Sequence, residues 1–328
     1  MNLRRYNIEL ILANALFGVS YSLIVSLLEG RLSTEQIFIL QLLFAALLFV
    51  GAAIITGGWR RVRLRDLGRL IPSGLIVVYG WSFLTLEAGR HCSAIDIAAL
   101  STLGPPITIL AAAIFTERRR EASFEQFYCT DSICQYYPRL KHLKPRKIRT
   151  LALPIALLCG VVVALLRNIP FSPSWGQLWG YLLTTIAVAC IAVSTVLVQD
   201  IRRRLSASTL LALYFGIGAL LLPFLMPHWL VCVRGLFAVE LRPSEVVMLL
   251  ALVSFGFSLP LYLLFQGAQR LTPLHTALYR YIQPAMALGV LAFDSRGPLL
   301  SEVRAVAFTL LFSALFLLVF RGRGSGSF

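Results

Sequence analysis

Arg280 is the residue with the sharpest chemical meaning in the sequence. It lies in the apolar run YRYIQPAMALGVLAF at 279–293, four residues before Pro284. An arginine inside such a run costs about 2.5–3.5 kcal/mol to insert into a bilayer, so it must turn toward a wet cavity or toward other protein groups. Its planar fork of donors suits an anionic group held bidentately. The alternative is a structural pair with a carboxylate or with backbone carbonyls. Thr276, Arg280 and Gln283 fall on one helical face, at i, i+4 and i+7, with Tyr279 beside them. Pro284 removes a backbone donor and can free a carbonyl toward a cavity.

Other polar side chains in apolar runs are Asn14, Gln41, Tyr79, Trp81 and Tyr214, together with Tyr21, Tyr262 and Gln266. They either line a path or serve as interhelical hydrogen bonds and interfacial anchors. Asp96, Glu87 and His275 are candidates for pairing with Arg280 or for coupling to protons. Asp96 also has a plain role in the first turn of a helix, where the dipole favours an acid. Catalytic patterns are missing: the sequence holds no HExxH, no GxSxG and no pair of span-buried aspartates. The four histidines are scattered, and Cys129, Cys134 and His142 lack paired zinc spacing. No enzyme, cofactor or metal is expected.

The elements that must position these residues are membrane helices. Of 328 residues, 58% are hydrophobic, and mean hydropathy is +0.79. A soluble domain runs near 45–50% apolar, and about 20 apolar residues cross a bilayer as a helix. Ten spans are expected, near 8–28, 36–57, 70–89, 93–116, 150–167, 178–199, 207–227, 245–267, 272–293 and 300–320. Capping chemistry marks several starts: Ser33 with Gln36, Ser93 with Asp96, Thr272-Pro273 and Pro243-Ser244. Met1 to Arg5 is not followed by a cleavage pattern, so the first span is expected to stay in the mature protein.

Net charge is +15, from 30 basic residues against 15 acidic. Nucleic acid is not the expected partner, because the basic residues sit in short connectors between apolar runs. With the N-terminus inside, 22 Lys and Arg fall in inner connectors and 7 in outer ones. This bias predicts both termini on the cytoplasmic side, with basic loops against anionic headgroups. The longest connector, 117–149, is basic and aromatic and reads as an interfacial cytoplasmic loop.

The chain also repeats itself. AGRHCSAIDIAALSTLGP at 88–105 matches GAQRLTPLHTALYRYIQP at 267–284, aligning Ser93 with Thr272, Asp96 with His275 and Pro105 with Pro284. RLSTEQIFILQLLFAALLFV at 31–50 resembles RLSASTLLALYFGIGALLLP at 204–223. Each half, 1–170 and 171–328, then holds five spans. An odd number forces two tandem copies into opposite topology, an arrangement found in transporters with the site near the midplane.

At this point the sequence resembles the EamA-type family of the drug/metabolite transporter (DMT) superfamily. The carrying stretches are LEAGRHCSAIDIAALSTLGPPITILAAAIFTE at 86–117 and FQGAQRLTPLHTALYRYIQPAMALGVLAF at 265–293, with ANALFGVSYS at 13–22. Gln41 stands where many members carry arginine, and the second half has no clear equivalent of Glu117. The resemblance implies an all-α polytopic membrane protein of ten helices in two inverted five-helix repeats. It implies alternating access and movement of a small metabolite such as an amino acid or organic anion, often as efflux. A non-transporting scaffold or receptor and an intramembrane enzyme are the alternatives.

Overall fold

The computed structural model describes residues 3–116, 174–271 and 273–294, and all regular structure among them is helical. In chain order the helices are α1 (Leu3–Leu28), α2 (Thr34–Ile55), α3 (Leu64–Ala88), α4 (Ala94–Ser101) and α5 (Gly104–Thr116). Then follow α6 (Trp175–Leu197), α7 (Ala207–Leu225), α8 (Trp229–Ala238), α9 (Pro243–Gly267), α10 (Pro273–Leu278) and α11 (Gln283–Asp294). Seven stretches among the described residues are long and apolar enough to cross a membrane: α1, α2, α3, α4–α5, α6, α7 and α9. They correspond to seven of the expected spans. The expected span at 272–293 is broken by a 3₁₀ turn, Tyr279–Ile282, between α10 and α11. The expected spans at 150–167 and 300–320, and the 117–149 connector with Cys129, Cys134 and His142, lie outside the described residues.

The local chemistry explains where these helices begin. Ser33 and Gln36 form a reciprocal capping box at α2, and Ser93 and Asp96 form one at α4. Ser206 caps α7 by accepting from the Thr209 N–H, and Pro243 opens α9 in the first turn, where a missing N–H costs nothing. Apolar side chains such as Leu47, Ile55, Leu220, Phe224 and Val247 stay exposed on the outer surface. In a bilayer they meet acyl chains, so helix association rests on packing and on buried hydrogen bonds.

The packing joins helices from the earlier and later parts of the chain. α1 lies against α9 and against α10–α11, while α6 lies against α3 and against α4–α5. α2 and α7 lie against each other. α3 contains a π-helical stretch at Ile76–Phe83, and α9 contains one at Leu252–Ser258. A hydroxyl triad fastens α3, α6 and α7: Ser73 Oγ is 2.6 Å from Tyr214 Oη and 2.7 Å from Ser194 Oγ.

The two ends differ in charge. One end carries Arg60, Arg61, Arg63, Arg65, Arg69, Arg202–Arg204 and Arg270 against Asp66 and Asp200; the other carries Glu29, Glu35, Glu87, Glu240 and Glu245 against Arg31, Arg90, Arg234 and Arg242. At the arginine-rich end, Arg204 meets Asp66 at 3.0 Å and Gln269 Nε2 donates to Leu205 O at 3.2 Å. At the opposite end Arg31 donates to Glu240 O at 3.0 Å.

Candidate functional site

Two broken spans build the centre. In α4–α5 the i→i+4 ladder gives way before Pro105: Thr102 N–H bonds Ala99 O and Leu103 N–H bonds Leu100 O, both three residues back. In α10–α11 the same tightening precedes Pro284, and Gln283 N–H bonds Arg280 O. Proline accounts for both, since it cannot donate to the carbonyl four residues back, Ser101 O or Arg280 O, and its ring crowds that carbonyl and distorts the preceding turn. The breaks face each other, with α10 against α5 and α11 against α4.

Gly104 lets them touch. A Cβ there would stand 2.6 Å from Arg280 Cδ and 3.1 Å from its Nε and Nη1, so any side chain at 104 must displace the arginine. Arg280 is partly buried. Among the described residues it makes no ion pair and no hydrogen bond. It borders two cavities.

The middle cavity is lined by Asn14, Phe17, Tyr21, Trp81, Thr85, Ser101, Thr184, Arg280 and Gln283, among others. A second cavity, toward the arginine-rich end, is lined by Thr108, Thr195, Arg202, Pro273, Thr276 and Arg280. Leu264 and Arg280 border both. A third, toward the glutamate-bearing end, includes Ser20, Gln41 and Ser82 and shares Phe17, Tyr21, Trp81 and Thr85 with the middle one. Each encloses about 20 Å³ open to a water-sized sphere, room for about one water, within a looser space that runs out to its margins. Neighbouring cavities thus share walls, with Arg280 in one wall and Trp81 in the other. Trp81 is itself wedged, edge-on to Phe17 at 5.5 Å and stacked on Phe257 at 6.1 Å.

One turn beyond Arg280, Gln283 is buried, with a hydrogen bond at each of its side-chain polar atoms. Tyr21 Oη donates to its Oε1 at 3.0 Å, and its Nε2 donates to Asn14 Oδ1 at 2.7 Å. Asn14 Nδ2 in turn donates to Leu10 O at 2.8 Å. This chain of bonds ties α11 to α1 and fixes the segment that carries Arg280. Gly18 permits the same contact, because a Cβ there would stand 2.5 Å from Gln283 O.

The sequence-derived candidates therefore separate. Arg280, Gln283, Asn14 and Trp81 gather at the middle cavity, Thr276 lines the second and Gln41 the third. Tyr279 faces His275 instead, with Oη 3.5 Å from Nε2. Tyr79 donates to Gly218 O at 2.8 Å, and Tyr214 is bound into the hydroxyl triad; neither lines these cavities. Asp96 accepts from Ser93 N at 3.1 Å and Ser93 Oγ at 2.8 Å within its capping box, and no ion pair joins it to Arg280. Glu87 lies 3.7 Å from Arg90 and 3.6 Å from His91 at the glutamate-bearing end. Sequence reasoning did not single out Thr85, Ser101, Thr108, Thr184 and Thr195, which carry no signal beyond small polar residues in apolar runs. Nor did it single out Arg202, hidden in a run of three arginines.

Comparison with known proteins matches these observations. Residues 5–123 match the EamA-like transporter family, a family of the DMT superfamily. No curated protein matches the chain. Nine chains of solved structures are similar to it. One, a crystal structure described only as that of a protein, aligns over 97% of this chain and 99% of its own, with a TM-score of 0.59 at 16% identity. That likeness concerns the fold alone. The family match and the seven apolar helices identify an integral, multi-pass membrane protein with an EamA-like first part.

Proposed function

We propose that the chain is a secondary transporter for a small metabolite bearing an anionic group. Arg280 grips that group, and alternating access runs between two inverted halves, 1–170 and 171–328. The carrying observation is an arginine with no acid or carbonyl partner among the described residues, set between two cavities. An intramembrane charge kept at a cost of about 2.5–3.5 kcal/mol is a functional site by default. Had Arg280 been locked to a carboxylate with no space beside it, a non-transporting scaffold would be the better reading. The reciprocal packing of α1 and α6, the paired π stretches and the paired prolines support two inverted halves. The excess of arginine at one end supports placing that end, and both termini, in the cytoplasm.

The substrate class is tested by profiling metabolites released from cells expressing wild type, Arg280→Ala and Arg280→Lys at matched levels. Species released by wild type should carry a carboxylate or phosphate, should nearly vanish with Ala and should fall with Lys, which keeps the charge but not the fork. A stable Arg280→Ala protein with normal release overturns the assignment. Orientation is tested by impermeant thiol labelling of single-cysteine variants: Cys232 should label from outside, Cys129 and Cys134 should not. Burial and the nearby Glu35 carboxylate push the Cys232 thiol up, so labelling is best done above about pH 8.5. The reverse pattern overturns the orientation and the inverted topology together.

A further inference from the structure

The second cavity holds an arginine that the proposed site does not use. Arg202 ends the single helical turn Gln199–Arg202 just beyond α6. Its neighbours Arg203 and Arg204 are exposed, whereas Arg202 retains 3% of its surface. One guanidinium nitrogen, Nη2, donates to Leu271 O at 3.3 Å, and Nε is buried without a partner. Among the described residues Arg202 makes no ion pair. A buried guanidinium with an unmet donor is costly unless something intermittent meets it.

The cavity it lines is the one Arg280 also lines, and no acid is among the lining residues. Two lining hydroxyls are already committed as donors: Thr108 Oγ1 to Gly104 O at 2.7 Å and Thr195 Oγ1 to Ile191 O at 2.6 Å. Besides the Thr276 hydroxyl, the donors that line the space are the two guanidinium groups, and these alone are charged. Two like charges around one narrow, poorly solvated space repel each other until an anion lies between them. A monoanion neutralises one of them; a dianion neutralises both. Burial pushes Arg202 down to about 10, with Tyr214 opposing and Arg203 reinforcing the shift, so it stays charged at neutral pH.

We propose that Arg202 and Arg280 together form a subsite for a dianionic group, either a phosphate or a pair of carboxylates, at the arginine-rich end of the path. This rests on the reading of Arg280 as a substrate-contacting residue. It adds that the ligand carries two negative charges and that Arg202 is the second contact. A guanidinium fork suits both chemistries, so the distinction between them is left to the ligand.

The test uses the full chain purified in detergent, with thermal stability titrated by acetate, succinate and inorganic phosphate at pH 8 and matched ionic strength. For wild type, succinate or phosphate should half-saturate at a concentration at least about tenfold below acetate, the increment of one added charge-assisted contact. Arg202→Gln should erase that preference and leave the acetate response in place. Arg280→Gln should lose the acetate response as well. Equal potency of all three anions on wild type, or an Arg202→Gln protein that keeps the dianion preference, overturns the proposal while leaving Arg280 in its role. An acetate response that survives Arg280→Gln overturns both readings. Basal stability without anions is read alongside: a fall in it with the preference intact marks Arg202 as structural and also overturns the subsite. If Arg202→Gln does not fold, Arg202→Lys decides, since charge without the fork should reduce the preference about threefold or more; an unchanged preference is contrary.

Discussion

The break before Pro105 and the break before Pro284 use one backbone device for two purposes. Both interrupt a span by tightening the ladder to i→i+3 bonds ahead of a proline. The repeat offset that aligns the prolines also aligns Ser101 with Arg280 and Gly104 with Gln283. Ser101 spends its hydroxyl on Ala98 O within its own helix, and Gly104 contributes only space. Arg280 and Gln283 carry the charge and the cross-helix hydrogen bonds. Of the two breaks, one makes room and the other fills it.

The strongest way to break this comparison is to fill the room. Gly104→Val places a branched side chain where the Arg280 stem lies. We expect transport to fall more than tenfold although Arg280 is still present, with a packing cost of about 1–3 kcal/mol read as a lower melting temperature. Normal transport would mean that the contact between the two breaks has no functional weight.

A smaller effect is expected from the hydrogen-bonded side. Gln283→Leu leaves Tyr21 Oη and Asn14 Oδ1 without their partner, at about 1–3 kcal/mol for each stranded group. Asn14→Leu combined with Gln283→Leu should cost less than the sum of the single changes, by about 0.5–2 kcal/mol in a double-mutant cycle on thermal unfolding. Strict additivity would show that the network does not tie α11 to α1.

The smallest effect belongs to Ser101, the position that the sequence offset sets against Arg280. Ser101→Ala removes one intrahelical bond and should change stability by no more than about 1 kcal/mol and transport by less than about twofold. A large transport defect there, equal to that of Arg280→Ala, would erase the asymmetry between the breaks.

The sequence carries much of this. Apolar length locates the seven described spans, and the capping pairs Ser33–Gln36 and Ser93–Asp96 form as their spacing predicts. Arg280 is visible because a charge inside an apolar run has no bland surface explanation. Arg202 is not, because its neighbours Arg203 and Arg204 are ordinary exposed residues of a basic connector, and only the turn at Gln199–Arg202 tucks it beneath Leu271. Tyr79 and Tyr214 read like Tyr21 in sequence, yet of the three Tyr21 alone lines any of the cavities described above. The others spend their hydroxyls on Gly218 O and Ser73, partners fixed by which helices happen to be neighbours. The π stretches in α3 and α9 leave no composition signal at all.

The central claim is that a positive charge at position 280 holds the anionic group of the substrate. Its most direct test is charge restoration in a background lacking the six native cysteines. Arg280→Cys is reconstituted, and uptake of an anionic metabolite identified by release profiling is measured before and after thiol modification. An aminoethyl methanethiosulfonate reagent adds a cation; a sulfonatoethyl reagent adds an anion of similar size. We expect the untreated variant to be nearly inactive, the cationic adduct to regain transport, the anionic adduct to remain inactive, and substrate to slow the modification. An untreated Arg280→Cys protein that transports normally, or equal recovery with both reagents, would contradict the claim.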